Sequence, residues 1–516
     1  MSTYSNPVLF ADYCDPDVIR VGGVYYMVAS SFNWTPGLPI LSSTDLVTWT
    51  LIGHALEQLP DPSYAVPRQG CGVWAPSIRE HAGKFYIFWP SPDEGIYVTM
   101  ADHPAGTWSP SWLLIGGKGL IDPCPYWDEQ GNAWLVHAYA FSRAKINNKL
   151  HLRPMSPDCR TLLGEGKIIY DAPDKHPVME GPKTYKKDGW FYIFAPAGGV
   201  PGGWQTVLRS RNVDGPFDDR IVLDQGTTPI NGPHQGALVD TPSGEWWFLH
   251  FQSIAPYGRI VHLQPVSWQD GWPVIGIDAT GSGVGEPVLT HRRPDLPPAP
   301  VVPQPTTDLF NQPRLGLQWQ WQANSQAGWS SLSARPGFLR LTAQAVPSGR
   351  LEQTPNLLAQ KFVDRAFRVV TAIEERDFTP ADRAGLVITG GQMSGALVAR
   401  DASGARRVDL VVDGQVKGTV PVGEGPLFLR LDAFDGGHAR YFVRQGQGPW
   451  QAIHYVATVL MGSWVGAKFG LVAFTAGEIA SGATADFPAV VVGSLHEEAE
   501  ALALRVAKPG VFTARG

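Results

Sequence analysis

The chain has 516 residues, long enough for two or three domains each with its own core. Its formal net charge is −6 with no basic tract, which argues against nucleic acid as a partner, and no run of about 20 apolar residues is present to span a membrane. Charged residues reach only 17%, while 57 glycines and 45 prolines accompany 19 tryptophans, 15 tyrosines and 22 phenylalanines, a balance that favours strands and tight turns over helices.

The opening Met1-Ser2-Thr3-Tyr4-Ser5-Asn6-Pro7 has neither a basic nor an apolar signal region, so the expected location is cytoplasmic. Cys14, Cys71, Cys124 and Cys159 show no CxxC spacing and are expected as reduced structural thiols.

Five times in the first 250 residues a strand-like run leads to a turn glycine and then to an aromatic strand. The glycines are Gly23, Gly83, Gly131, Gly189 and Gly244, a period of 48 to 60 residues. The following strands include Val24-Tyr25-Tyr26-Met27-Val28, Lys84-Phe85-Tyr86-Ile87-Phe88 and Trp190-Phe191-Tyr192-Ile193-Phe194. This period predicts a five-bladed β-propeller over residues 1–292. Segments such as Gly95-Ile96-Tyr97-Val98-Thr99-Met100 and Thr206-Val207-Leu208-Arg209-Ser210 supply outer strands.

A proline-rich stretch follows, and residues 293–306 are expected as an extended, semi-rigid linker. Beyond it the repeat stops and short alternating strands take over, among them Arg368–Ile373, Arg407–Val412, Leu427–Leu431 and Phe469–Phe474. Residues 307–516 are therefore expected to form a jelly-roll, concanavalin-like β-sandwich, with a helix near Glu497–Ala507. The fold class is all-β.

Eight to ten residues before each turn glycine stand Asp15, Trp74, Asp122, Glu180 and His234. A propeller brings corresponding positions of its blades to one axis, so three carboxyl groups are expected to meet there. Hydrolysis of a glycosidic bond by inversion needs a carboxylate base for water and a carboxylic acid for the leaving oxygen. A third acid keeps the second protonated, because like charges oppose ionisation. Taken singly, Asp15-Pro16 and Asp122-Pro123 read as turn residues at strand starts. All three acids in register with the repeat read as a site. Phe32, Trp34 and Trp74 are placed to stack on sugar faces, and Arg259 to donate to sugar hydroxyls. His234 is the candidate ligand for a structural calcium ion at the axis, held mostly by water. No GxSxG elbow, P-loop or HExxH motif is present.

Cys14-Asp15-Pro16-Asp17-Val18, Ser31-Phe32-Asn33-Trp34-Thr35-Pro36-Gly37, Gly72-Val73-Trp74-Ala75-Pro76, Ile121-Asp122-Pro123, Glu180-Gly181-Pro182 and Gly258-Arg259-Ile260-Val261-His262-Leu263 together resemble glycoside hydrolases of family 43. The similarity is to the β-xylosidase and α-L-arabinofuranosidase members with a C-terminal β-sandwich. It implies an inverting exo-hydrolase that releases xylose from the non-reducing end of β-1,4-xylo-oligosaccharides. Arabinofuranosidase activity is the alternative, alone or beside it, on arabinose-substituted oligosaccharides. Asp15 would be the base, Glu180 the acid and Asp122 the residue that orients the acid and raises its pKa. Trp74 and Phe32 would line the pocket, and Arg259 would bind hydroxyls. A sandwich loop at Leu460-Met461-Gly462-Ser463-Trp464-Val465-Gly466 would help close the pocket, with Trp464 where such enzymes carry a phenylalanine. No cofactor is required for this chemistry, and oligomeric state stays open. Two rivals are a retaining fructan hydrolase, whose Asn-Asp-Pro-Asn opening is missing, and a propeller that only binds carbohydrate.

Overall fold

A computed structural model describes residues 2–507; residues 508–516, the end of the range expected for the sandwich, lie outside the described residues. The first part is a five-bladed propeller of antiparallel four-stranded sheets, each with its strands in chain order. Blade I runs from Asp17–Val21 to Thr50–Leu56, blade II from Ser77–His81 to Trp112–Gly116, and blade III from Leu120–Trp127 to Lys167–Asp171. Blade IV runs from Lys183–Lys187 to Asp218–Leu223, and blade V from His234–Asp240 to Trp272–Ile275. Each repeat thus contributes four strands, its aromatic run being the second.

The turn after the first strand is tight because left-handed residues occupy it, as at Ala82-Gly83 and Asp188-Gly189. In blade I the left-handed residue is Gly22, one position before the glycine that marks the repeat. The aromatic strands bury between blades: Trp89, Phe88, Tyr192, Phe194, Trp247 and Phe248 are all nearly inaccessible. The two ends of this part are tied by Thr3–Ser5 pairing with Thr290–Arg292, and Leu9 bridges to Val261 on blade V.

The proline-rich stretch lies along blade I. Asp45 accepts from Arg293 at 2.7 Å and from the Ala299 amide at 3.0 Å, and Gln304 donates to the Trp49 carbonyl at 2.9 Å. Beyond it, two large sheets pack face to face around the core of Leu386, Val398, Leu410, Leu429, Leu431 and Phe469. One sheet is centred on Asp382–Thr389 and Lys468–Thr475, the other on Phe367–Arg376 and Leu427–Phe434. The closing helix, Ala499–Val506, covers the second sheet with Leu502, Ala503 and Val506. No helix among the described residues is long and apolar enough to cross a membrane.

The sandwich packs directly on the propeller. Cys14, Phe32 and Trp34 share one buried cluster with Leu357, Val387, Leu397, Val465 and Phe474 of the sandwich. Backbone and amide bonds lock the seam: Thr35 N–H donates to the Trp321 carbonyl at 3.0 Å, Asn33 to the Gln322 carbonyl at 2.7 Å, and Leu59 and Asn324 exchange a pair at 2.8 Å.

Candidate active site

One pocket of about 400 Å³ at the axial end of blades I to V is lined by Asp15, Phe32, Trp74, Asp122, Glu180, Gln235, Arg259 and Trp464. A larger cleft of about 620 Å³ lies on the outside of blades III and IV around Tyr126 and Trp134, remote from these acids. The propeller therefore joins the three acids that the repeat singled out, although they stand as far as 165 residues apart in the chain.

The backbone that presents them is strained. Asp15 (φ 52°), Phe32 (53°), Asp122 (54°), Val178 (55°), Gln235 (35°) and Trp464 (68°) all line this pocket with left-handed φ. Such a conformation costs about 1–3 kcal/mol at a non-glycine residue and gathers at functional sites. Asp15 and Asp122 also precede proline, which pushes a residue towards extended φ. Asp122 and Gln235 each fall at a register slip, between Ile121 and Cys124 in blade III and between His234 and Gly236 in blade V. Such bulges re-aim side chains out of the ladder, here towards the axis.

The acids have unlike surroundings. Asp15 Oδ1 accepts from Arg259 Nη1 at 2.6 Å, and Oδ2 accepts from Ser30 Oγ at 2.6 Å. Asp122 Oδ2 accepts from the Gly181 amide at 2.7 Å and from Gln235 Nε2 at 3.2 Å. Burial, and after it the charge of Asp15, pushes the Asp122 carboxyl well above the usual aspartate range. The Glu180 carboxyl accepts no hydrogen bond from any described residue, and its side chain keeps 23% exposure towards the pocket. Burial first, and then the neighbouring Asp122, raises its pKa far above the ordinary glutamate value, while Arg259 works in the opposite direction. Glu180 is thus the carboxyl built to hold a proton at neutral pH.

The walls are aromatic. Trp74 meets Phe32 at 6.4 Å and Trp464 edge-on at 6.5 Å, and its indole donates to the Gly70 carbonyl at 3.0 Å. Arg143, from the short helix Phe141–Ala144, lies over the Trp74 ring at 5.4 Å. Phe32 is set by a backbone bridge to Val73 across Gly72, where a Cβ would stand 2.3 Å from the Phe32 carbonyl oxygen. Arg259 lies between Phe251 at 4.7 Å and Trp464 at 6.0 Å. Phe141 and Trp464, 59% and 47% exposed, flank the mouth with Val178 and Pro201.

Two expected members are not part of the pocket lining. Trp34 is buried in the seam between the domains, with Lys468 Nζ 5.0 Å above its ring, because the Trp34 amide bonds back to the Ser31 carbonyl and turns the side chain towards the sandwich. His234 lies beside the site, its Nε2 3.6 Å from Glu180 Oε1, with both ring nitrogens unbonded and burial keeping it neutral, its pKa depressed to about 3. Calcium wants six to eight oxygen ligands, and no group of three or more His, Cys, Asp or Glu among the described residues is placed to hold a metal.

Sequence reading missed Ser30 and Gln235, which orient the two aspartates, and Phe141 at the mouth. Gln235 adjoins the histidine in Gly232-Pro233-His234-Gln235-Gly236, so the motif marked the turn but not this second side chain. Ser30 and Phe141 carry no local signal.

A model described as glycosyl hydrolases family 43 matches residues 4–273, and one described as a beta xylosidase C-terminal concanavalin A-like domain matches residues 307–492. A putative beta-xylosidase of Xylanibacter ruminicola is 45% identical over 362 residues, covering 70% of this chain and 66% of that protein. A beta-xylosidase of Formosa agariphila is 36% identical over 385 residues, covering 69% of this chain and 64% of that protein. The chain thus spans just under two thirds of the length of each of these relatives. Among solved structures, the GH43 BlXynB protein of Bacillus licheniformis superposes with a TM-score of 0.82 at 25% identity, over 96% of this chain and 100% of that one. Two matched models in the order of the two observed domains, and relatives alike across both, place the chain in glycosyl hydrolases family 43.

Proposed function

We propose that this protein is an exo-acting, inverting β-xylosidase that removes xylose from the non-reducing end of short β-1,4-xylo-oligosaccharides. The observation that carries the reading is the asymmetry of the two carboxyls: Asp15 is bonded by Arg259 and Ser30, whereas Glu180 has no donor and is held protonated. A base and an acid set apart in this way are what single displacement requires. Asp15 takes a proton from water as the water attacks the anomeric carbon from the face opposite the leaving group. Glu180 gives its proton to the glycosidic oxygen as that bond breaks. Asp122 holds Glu180 through the Gly181 amide and keeps its proton on. Arg259 lies between the base and the aromatic wall, placed to hold Asp15 and to donate to the terminal sugar. The names of the relatives in Xylanibacter and Formosa support xylose as that sugar. The aromatic walls and the mouth between Phe141 and Trp464 suit the end of a short chain. No step needs a metal or cofactor from outside the carboxyl pair.

The test is release of p-nitrophenol from its β-D-xylopyranoside and its α-L-arabinofuranoside by wild type and Asp15→Asn. Preferred turnover of the xyloside, lost in the variant, supports the reading. Preferred turnover of the arabinofuranoside keeps the mechanism and changes the substrate. Binding of xylo-oligosaccharide without turnover refutes an enzyme.

A further inference from the structure

Asp12 has no place in the chemistry above, yet it is buried to 2% exposure and its two oxygens accept from backbone of both domains beside the pocket. Its Oδ1 accepts from the Arg259 amide at 2.8 Å and from the Cys14 thiol at 3.0 Å. Its Oδ2 accepts from the Gly466 amide at 2.9 Å. Arg259 comes from blade V of the propeller. Gly466 closes the sandwich loop that carries Trp464. One carboxylate therefore bonds the backbone of both.

The fit is close on every side. A Cβ at Gly258 would stand 2.3 Å from Asp12 Oδ1, and one at Gly466 would stand 2.4 Å from the Tyr257 carbonyl oxygen. Only glycine lets these two strands of backbone reach the same carboxylate. The Cys14 thiol, one residue before the base Asp15, also points at the Trp464 carbonyl at 3.7 Å. Burial alone would raise the Asp12 carboxyl, but Lys361 and Lys468 of the sandwich, with the Arg259 amide and the Cys14 thiol, hold it below the ordinary aspartate range. Lys468 is itself pushed far down by burial and by Lys361, so the compensating charge belongs chiefly to Lys361 and to the donors. The propeller thus buries an anion whose opposing charge comes from the other domain.

We propose that Asp12 is a positioning residue, which sets the Arg259 strand and the Trp464 loop against each other so that the pocket is assembled only when the sandwich is docked. The inference rests on the hydrolase reading for its kinetic part. An asparagine at this position keeps the shape, but its amide nitrogen faces a backbone N–H on one side or the other, so one wall loses its anchor.

The experiment compares wild type, Asp12→Asn, Trp464→Ala and the double variant on p-nitrophenyl β-D-xylopyranoside, with hydrogen exchange followed over residues 257–261 and 460–467. Losing a hydrogen bond to a buried charge predicts that KM rises about tenfold in Asp12→Asn, with a smaller fall in kcat. The double variant should resemble the worse single variant, because Asp12 acts through the loop. Exchange in both segments should quicken without substrate. Unchanged KM, or effects of the two substitutions that multiply, would overturn the proposal. Should Asp12→Asn not fold, Gly466→Ala lifts the loop from the sandwich side and must raise KM in the same way. If wild type turns over no glycoside, the hydrolase reading falls, and exchange alone decides whether Asp12 is the anchor: unchanged exchange rejects it.

Discussion

The amide of Gly181, the residue after Glu180, donates to Asp122 Oδ2 at 2.7 Å. Asp122 thereby fixes the backbone that carries the acid while its own charge stands beside that acid. Asparagine in its place keeps an oxygen for Gly181 and removes the charge. Glu180 must be protonated to work, so activity is lost as pH rises through its pKa. Asp122→Asn takes away one cause of the raised value. The alkaline limb of the kcat profile should move to lower pH, with kcat itself down about tenfold or more. A limb that stays in place would remove Asp122 from this role.

Glu180→Gln separates leaving groups. Xylobiose needs a proton on its departing oxygen, whereas p-nitrophenolate leaves with little help. The variant should lose about 10²–10⁴-fold in kcat on xylobiose and clearly less on the p-nitrophenyl xyloside. Equal losses on both would mean that Glu180 does something other than protonate.

The fold was legible because its signals are local. Turn glycines and aromatic second strands recur in every blade, and a period of that size has few architectures to serve. The carboxyl cluster followed, since a propeller converts register into proximity. Side-chain direction did not follow. Phe32 and Trp34 lie two residues apart in one motif, and only the turn that bonds Trp34 N–H to Ser31 sends the second ring into the domain seam. Ser30, Gln235 and Asp12 act through hydrogen bonds to residues 15, 113 and 454 positions away, which no spacing reveals. Trp464 was reachable only through resemblance, because its loop belongs to another domain.

Arg259 and Asp15 form a buried pair with side-chain exposures of 8% and 5%. Removing one partner leaves the other charge buried and alone. Arg259→Ala should cost about 3–5 kcal/mol in unfolding free energy as well as nearly all activity. Denaturant unfolding checks it, and a loss under about 1 kcal/mol would mean that water replaces the guanidinium freely.

Gly72 occupies φ 89° with the Phe32 carbonyl where a Cβ would go. Gly72→Ala should destabilise by about 1–3 kcal/mol and raise KM, because Phe32 and Trp74 flank this backbone. Melting temperature and KM measured together test the link. A normal KM in a destabilised variant would show that the wall tolerates the shift.

Four fully buried histidines, His137, His234, His250 and His262, have pKa values depressed by burial, the first three to about 3, 3 and 4. Unfolded, each takes a proton near 6.5, so they favour unfolding progressively as pH falls below that value. The Asp122–Glu180 pair acts in the opposite sense, holding a proton that the unfolded chain releases, but it faces these four histidines and His54, which burial also depresses to about 3. The melting temperature should fall by several degrees between pH 7 and pH 5. A flat or rising profile would mean that the histidines are solvated in the fold.

The most direct measurement is the anomer first released from xylotriose, followed by proton NMR before mutarotation. Water activated by Asp15 and delivered opposite the leaving group gives α-xylose first, with the β anomer growing in later. If β-xylose came first, a covalent intermediate would be implied, and the assignment of Asp15 as base and Glu180 as acid in a single displacement would be wrong.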